Sequence, residues 1–260
     1  MDAGRRFGGV VRLYGGDALA RLSAAHVCIV GIGGVGSWAA EALARSAVGR
    51  ITLIDLDHVA ESNTNRQIHA LEGEYGRAKV SAMAARILAI NPQCAVSEIE
   101  DFVSAENVAS LLPPCDAVLD AIDSVRAKAA LISHCRTVGV AVVTTGGAGG
   151  RRDPTRIRVA DLGLTEQDPL AAKLRALLRR DYGFPRGPKQ RFGVDCVFST
   201  EPIVRPPDDG PACDLDERGL QGLNCAGYGS AVTVTASFGL TAAARVLEQL
   251  LETGDILTAK

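Results

Sequence analysis

Short apolar-rich runs recur through the first 145 positions, at 26–31, 51–55, 95–100, 116–120 and 140–145, and each predicts a strand. The segments between them carry a helical period instead. The clearest is 79–90, where Val80, Met83, Ala84, Ile87 and Leu88 share one face and Asn91-Pro92 stops the helix. Alternating strand and helix predicts an α/β fold: a Rossmann-like, doubly wound, mostly parallel sheet. Residues 1–24 predict an arm and a helix bearing Arg5, Arg6 and Arg12, and the run Gly146 to Gly150 closes this half. Residues 151–260 read as a smaller, irregular half. It holds a strand at Ile157 to Ala160, a helix from Leu170 to Arg180, a strand around Cys196, and loops at 183–191 and 205–219.

Ala226 to Ala244 is uncharged over nineteen residues, close to the length of a membrane span. It is rich in Ala, Gly and Thr rather than Leu, and no orientation signal flanks it. A helix buried in the core or at a dimer interface is the expectation. At 260 residues and 47% hydrophobic content, the chain can bury one large core. Its net charge of −2 excludes a global polyanion-binding surface, yet residues 170–191 carry seven Lys and Arg against Asp181 alone. Those cations include Lys173, Arg175, Arg179, Arg180, Lys189 and Arg191. Either a solvated helix face or a local polyanion site accounts for them. Seven cysteines without a C-x-x-C argue against a zinc ribbon and for a reducing, cytoplasmic setting.

The candidate chemistry begins at the first strand's end. Gly31, Gly33 and Gly36 in GIGGVG fit a glycine turn between strand and helix. In that reading the first glycine makes the turn, the second lets a phosphate approach, and the third lets helix pack on strand. Asp55 ends the next strand, nineteen residues after Gly36, where a carboxylate can accept ribose hydroxyls. These features alone describe a nicotinamide enzyme as well as any other nucleotide binder. Asn63, Arg66 and Lys79 then add an amide and two cations within twenty-five residues of Asp55. A dinucleotide needs little such help, whereas a triphosphate does. Asp123, past the fourth strand, suits the accompanying magnesium.

The series GxGGxG, DxD, NxxRQ, a helix-opening lysine and D-x-x-D resembles the ATP-dependent adenylating enzymes that activate ubiquitin-like and sulfur-carrier proteins. The runs NTNRQIHAL (63–71), DAIDSVRAKAALI (120–132), TTGGAGG (144–150) and GVDCVFSTE (193–201) are similar to its tRNA-modifying branch. That branch uses ATP to cyclise a threonylcarbamoyl group on a tRNA adenosine beside the anticodon. The resemblance implies one adenylating domain over 1–260, with a nucleotide-binding half at 1–150 and a substrate-binding and dimerisation half at 151–260. It implies that Gly33 and Gly34 line the phosphates, Asp55 holds the ribose and Asp57 supports the following loop. Asn63, Arg66 and Lys79 would neutralise phosphate, Asp123 would hold Mg2+, and the basic block would meet tRNA. It further implies a homodimer using the helix at 226–251. A monovalent cation and a sulfur-relay protein also belong to the expectations, without residues to locate them. The other activity open to the superfamily is adenylation of a small carrier protein's C-terminus.

Two departures stand out: the zinc cysteines of the sulfur-carrier branch are missing, which favours the tRNA branch, and an expected arginine is displaced. Relatives often place an arginine three residues after an R-F pair, reaching the partner's ATP; here Gly9 holds that position and Arg12 lies one turn on. Arg12, Arg6 or neither serves in trans. Some relatives pass the acyl group to a cysteine, and Cys225 stands near the expected start of the long helix, where a helix dipole would favour its thiolate. An inert core thiol is the plainer reading of Cys225.

Overall fold

The computed structural model describes residues 3–187, 189–204 and 228–252. Two helices, α1 (Ala3–Tyr14) and α2 (Ala18–Ala24), precede the first strand, β1 (His26–Val30). Then follow α3 (Gly36–Arg45), β2 (Arg50–Ile54), α4 (Lys79–Ile90), β3 (Ala95–Ile99), the short α5 (Val108–Leu111), β4 (Ala117–Asp120), α6 (Val125–Val138) and β5 (Ala141–Thr145). The remainder contributes β6 (Ile157–Asp161), α7 (Pro169–Asp181), β7 (Asp195–Ser199) and α8 (Val232–Glu252).

All seven strands form one sheet, in the order β3-β2-β1-β4-β5-β7-β6, parallel except for the β6–β7 pair. The expected α/β sheet is therefore present, and the irregular half extends it at the β5 edge. Central strands read as unbroken apolar runs because both of their faces are covered. Every residue of β1 and β4 is buried, while no residue of β3, an edge strand, is fully buried.

Helices α3, α4 and α8 pack on one face, against Val27, Ile29, Ile51 and Leu53. Helices α5, α6 and α7 pack on the other, around Cys28, Ile54, Val118 and Val142. The uncharged stretch ending at Ala244 lies largely in α8, whose small residues have a packing reason. A side chain at Gly239 would reach Val35 O at 2.3 Å, so α8 rests on the backbone of α3. Val234, Phe238, Val246 and Leu247 are buried beside it, a contribution on the order of 6–12 kcal/mol at the usual value per apolar side chain. No helix among the described residues is long and apolar enough to cross a membrane.

Candidate active site

From β1 the chain runs outward to β2 on one side, while β4 lies on the other. Such a switch point leaves a crevice beyond the strands' carboxyl ends. The main chain ties its two rims together: Gly31 N donates to Ile54 O at 2.9 Å, and Ala121 N donates to Val30 O at 2.9 Å. Gly31 turns the chain with a φ of +88°, and a Cβ at Gly36 would lie 1.8 Å from Gly31 O. Any side chain at Gly36 would therefore prise α3 from β1. A Cβ at Gly33 would meet nothing within 4 Å. Among the described residues, no backbone bond uses the amides of Gly33 and Gly34. Free amides at a helix start, with open space before them, suit an anion.

Asp55 locks the glycine loop from the β2 side. One carboxylate oxygen accepts Ile32 N at 2.5 Å and the other accepts Asp57 N at 2.9 Å. Each oxygen keeps a second lone pair for a ribose hydroxyl. Burial pushes this carboxyl's pKa above the ordinary value, with Lys79 and the two amides pulling the other way.

The excursion between β2 and α4 folds back on itself. Val59 N donates to Arg77 O, Gly76 N to Val59 O and Lys79 N to Asp57 O. That closure brings Asp57 and Lys79, twenty-two positions apart, into an ion pair of 2.6 Å. Lys79 is buried at the opening of α4, whereas the Asp57 carboxylate stands in solvent. The pair holds the ammonium at the loop's edge, where an anion could compete for it. Arg66 crosses the glycine loop: a Cβ built on Gly34 would lie 3.1 Å from Arg66 Cγ. Its guanidinium donates to Ser62 O at 2.7 Å and Asn65 Oδ1 at 2.9 Å. Partial burial lowers its pKa from the usual arginine value. Asn63 is buried and its Oδ1 accepts Ala60 N at 3.1 Å, so its carbonyl caps the loop and its amide group is the part left for a ligand.

Asp123 is exposed, immediately before the α6 cap Ser124. Magnesium brought by phosphates needs only one or two protein carboxylates. No group of three or more potential ligands gathers among the described residues, so Asp123 fits a nucleotide-borne metal and no protein-built cage does.

The remaining candidates lie apart from this cluster. Arg12 is exposed on α1 and folds back toward Gly8, while Arg6 bonds Ile90 O across the end of α4. On α7, Lys173 and Arg180 are exposed, and Arg180 pairs with Asp181 at 2.7 Å. Arg175 donates to Thr165, and Arg179 donates to Pro185 O and lies 5.1 Å over the Phe192 ring. Lys189 and Arg191 are exposed in the following loop. The basic block is thus mixed: Arg179 pins the loop, Arg175 ties α7 to Thr165, Arg186 bonds Arg179 O, and Lys173, Arg180, Lys189 and Arg191 stand exposed, Arg180 beside Asp181. Cys225 lies outside the described residues. Cys28, Cys94, Cys115, Cys135 and Cys196 are free thiols. Burial pushes Cys94 and Cys115 up to about 11 and Cys196, buried in β7, higher still, so none of these is a ready nucleophile.

Several supporting residues escaped the sequence reading. Trp38 Nε1 donates to Arg66 O at 3.0 Å, fixing the arginine's backbone to α3. Asn65 Nδ2 donates to Ser230 O at 2.9 Å, tying that loop to the approach to α8. Arg151 and Asp168 are wholly buried, with Arg151 reaching Gly147 O, Gln167 O and Glu201 O and Asp168 capping α7. Asp120, Lys128 and Thr144 form a second buried polar cluster. The available signal was a charged residue on an apolar helix face: Lys128 shares its stripe with Leu131, Ile132 and Cys135.

Residues 8–259 match the ThiF family. The chain belongs to the ThiF family. Within it, the tRNA threonylcarbamoyladenosine dehydratase of Escherichia coli K12 is 54% identical over 255 residues, covering 96% of this chain and 95% of that protein. The Haemophilus influenzae protein of the same name is 49% identical over 250 residues, covering 95% and 94%. The crystal structure of the E. coli dehydratase in complex with ATP superposes with a TM-score of 0.88 at 51% identity, over 98% of each chain. The ThiF family match begins within α1 and continues past α8, so sheet, crevice and both flanking layers belong to one shared fold.

Proposed function

We propose that this chain is an ATP-dependent tRNA-modifying enzyme that dehydrates threonylcarbamoyladenosine next to the anticodon. One observation carries the proposal: the chain matches, end to end, a dehydratase whose crystal structure holds ATP, and its own phosphate-type groups converge on one crevice.

ATP enters as a substrate. The α3 amino terminus and the loop amides receive phosphate oxygens, and Asp55 accepts the ribose hydroxyls. A free carboxylate is a poor acyl donor because oxide would have to leave. Attack of a threonyl carboxylate oxygen on the α-phosphorus forms an acyl-adenylate and releases pyrophosphate. Negative charge builds on the phosphates at that point, and Arg66 and Lys79 oppose it, Lys79 from the place where its ion pair with Asp57 holds it. A fixed cation beside developing charge is worth more than the same contact in water because the groups need not reorganise. An internal nucleophile of the carbamoyl group then displaces AMP and closes the ring. The carboxylate oxygen leaves on AMP, a proton leaves the nucleophile, and the net change is loss of one water. Ring closure is intramolecular, so orientation supplies much of its rate.

Asp123 would hold a magnesium ion carried by the nucleotide, which supplies charge neutralisation at the phosphates. Lys173, Arg180, Lys189 and Arg191 are the cations left to meet the tRNA backbone. A homodimer completes the reading, and size-exclusion chromatography at micromolar concentration checks it. The activity is tested by incubating the chain with ATP and modified tRNA, then digesting to nucleosides for mass spectrometry. Loss of one water from the modified nucleoside supports the proposal; an unchanged mass with a folded protein overturns it.

A further inference from the structure

A charged pair sits beneath the crevice, outside the set of groups that face the nucleotide. The Asp120 and Lys128 side chains are both 0% exposed, with Nζ and Oδ2 3.0 Å apart. Lys128 Nζ also donates to Asp120 O at 3.3 Å and to Thr144 Oγ1 at 3.2 Å. Thr144 Oγ1 donates to Asp120 Oδ2 at 2.6 Å, and Thr145 Oγ1 donates to Asp120 O at 3.2 Å. Three elements, β4, β5 and α6, meet in this cluster. Burying two charges brings little net stability, since desolvation offsets their attraction. An apolar pair of the same volume would serve the core as well.

The geometry offers another use. Asp120 Oδ1 accepts Ile122 N at 3.1 Å, so the carboxylate clamps the turn that leaves β4. That turn is wedged against the glycine loop: a Cβ on Gly31 would come within 2.8 Å of Ala121 O. Asp123 is the next residue after the clamped amide. Beyond it Ser124 caps α6, and Lys128, one turn into that helix, reaches back to both the carboxylate and the carbonyl of Asp120.

We propose that Asp120 is a positioning residue whose side-chain oxygen fixes the 121–123 turn, and with it Asp123, relative to the glycine loop, while Lys128 balances the buried carboxylate's charge. This rests on the reading of the crevice as an ATP site. Asp120 touches no substrate; it acts through the Ile122 amide. Thr144 completes the hydrogen-bond chain and keeps Oδ2 occupied, leaving Oδ1 for the turn.

Two neutral double variants separate positioning from mere burial. D120N/K128M removes both charges and keeps an oxygen acceptor for Ile122 N. D120A/K128M removes both charges and the acceptor. Three readouts are compared with the unaltered chain: melting temperature, hydrogen exchange of a peptide spanning 119–126, and ATP-dependent dehydration kinetics. Positioning predicts that D120A/K128M folds but loses protection at Ile122. Its kcat drops at least tenfold while KM for ATP changes less than threefold, and more magnesium is needed for half-maximal rate. D120N/K128M keeps the protection and stays within about threefold in kcat. Equal exchange and equal kcat in the two variants would overturn the proposal. If D120A/K128M fails to fold, the single variant Thr144→Val serves instead. Positioning then predicts faster exchange at Ile122, and unchanged exchange with unchanged kcat overturns it. Dehydration by the unaltered chain is the control: its absence would sink the ATP-site reading itself, a separate failure.

Discussion

Replacing Asp55 by alanine removes the acceptor that joins the glycine loop to the end of β2. Two amides, those of Ile32 and Asp57, lose bonds of 2.5 and 2.9 Å. If the carboxylate also accepts the ribose, ATP loses up to two hydrogen bonds to a charged group, each about 1.5–3 kcal/mol. Water refilling the space returns part of that, which leaves about 3 kcal/mol, or roughly 100-fold in Kd. Asn at this position keeps shape and one acceptor oxygen, so its loss is about tenfold. Calorimetric titration of ATP at fixed magnesium measures both, with thermal melting as the control for folding. The pH series adds a signature. Burial raises the Asp55 pKa above the ordinary carboxylate value. Protonation removes an acceptor, so ATP affinity falls on acidification and does so at higher pH than an ordinary carboxylate allows. Asp55→Asn abolishes that dependence. A folded Asp55→Ala chain binding ATP within about threefold of the unaltered one would refute the assignment.

Other outcomes follow from the same geometry. Asp123→Ala lowers dehydration by about 100-fold or more, whereas Cys225→Ala costs less; a Cys225→Ala chain that still releases pyrophosphate but forms no cyclic product would instead show covalent transfer. Charge reversal at Lys173 and Arg180 raises the tRNA Michaelis constant and flattens its salt dependence, while Arg179→Glu lowers the melting temperature because that guanidinium lies over Phe192. His69 is 2% exposed and burial, reinforced by Lys79 and Arg86, lowers its pKa from 6.5 to about 4. Between those values the unfolded chain binds more protons than the native one, so stability falls by up to about 3 kcal/mol as pH drops through that window and is flat above it. Denaturant titrations at neutral and acid pH check this, and a His69→Asn chain should lose the slope.

Much of the fold was legible because buried parallel strands and amphipathic helices leave local signatures. β1, β2, β4 and β5 fall within a residue of the apolar runs, and α4 spans Lys79 to Ile90 as its period and Asn91-Pro92 require. What local pattern could not show is order in space. β7 enters the sheet between β5 and β6, and β6 runs antiparallel at the edge; both depend on contacts between segments some forty residues apart. The cluster around the crevice was legible as residue types at given spacings, since a phosphate-binding group needs charge, amide or glycine wherever it stands. The supports beneath it were not. Asp120 hides beside Asp123 in one motif, and the apolar stripe around Lys128 marks it as inward-facing without naming its partner. Arg175 and Arg179 show the converse: charge in a basic block that the fold uses to fasten α7 to Thr165 before it and to Pro185 after it.

On the proposed mechanism, a substrate carboxylate becomes bonded to the α-phosphorus of ATP in this crevice. Heavy oxygen placed in the threonyl carboxylate of the modified tRNA tests it in one turnover. Mass spectrometry of the released nucleotide should find one heavy atom in the phosphate of AMP. Label appearing in water or inorganic phosphate, with unlabelled AMP, would contradict the claim.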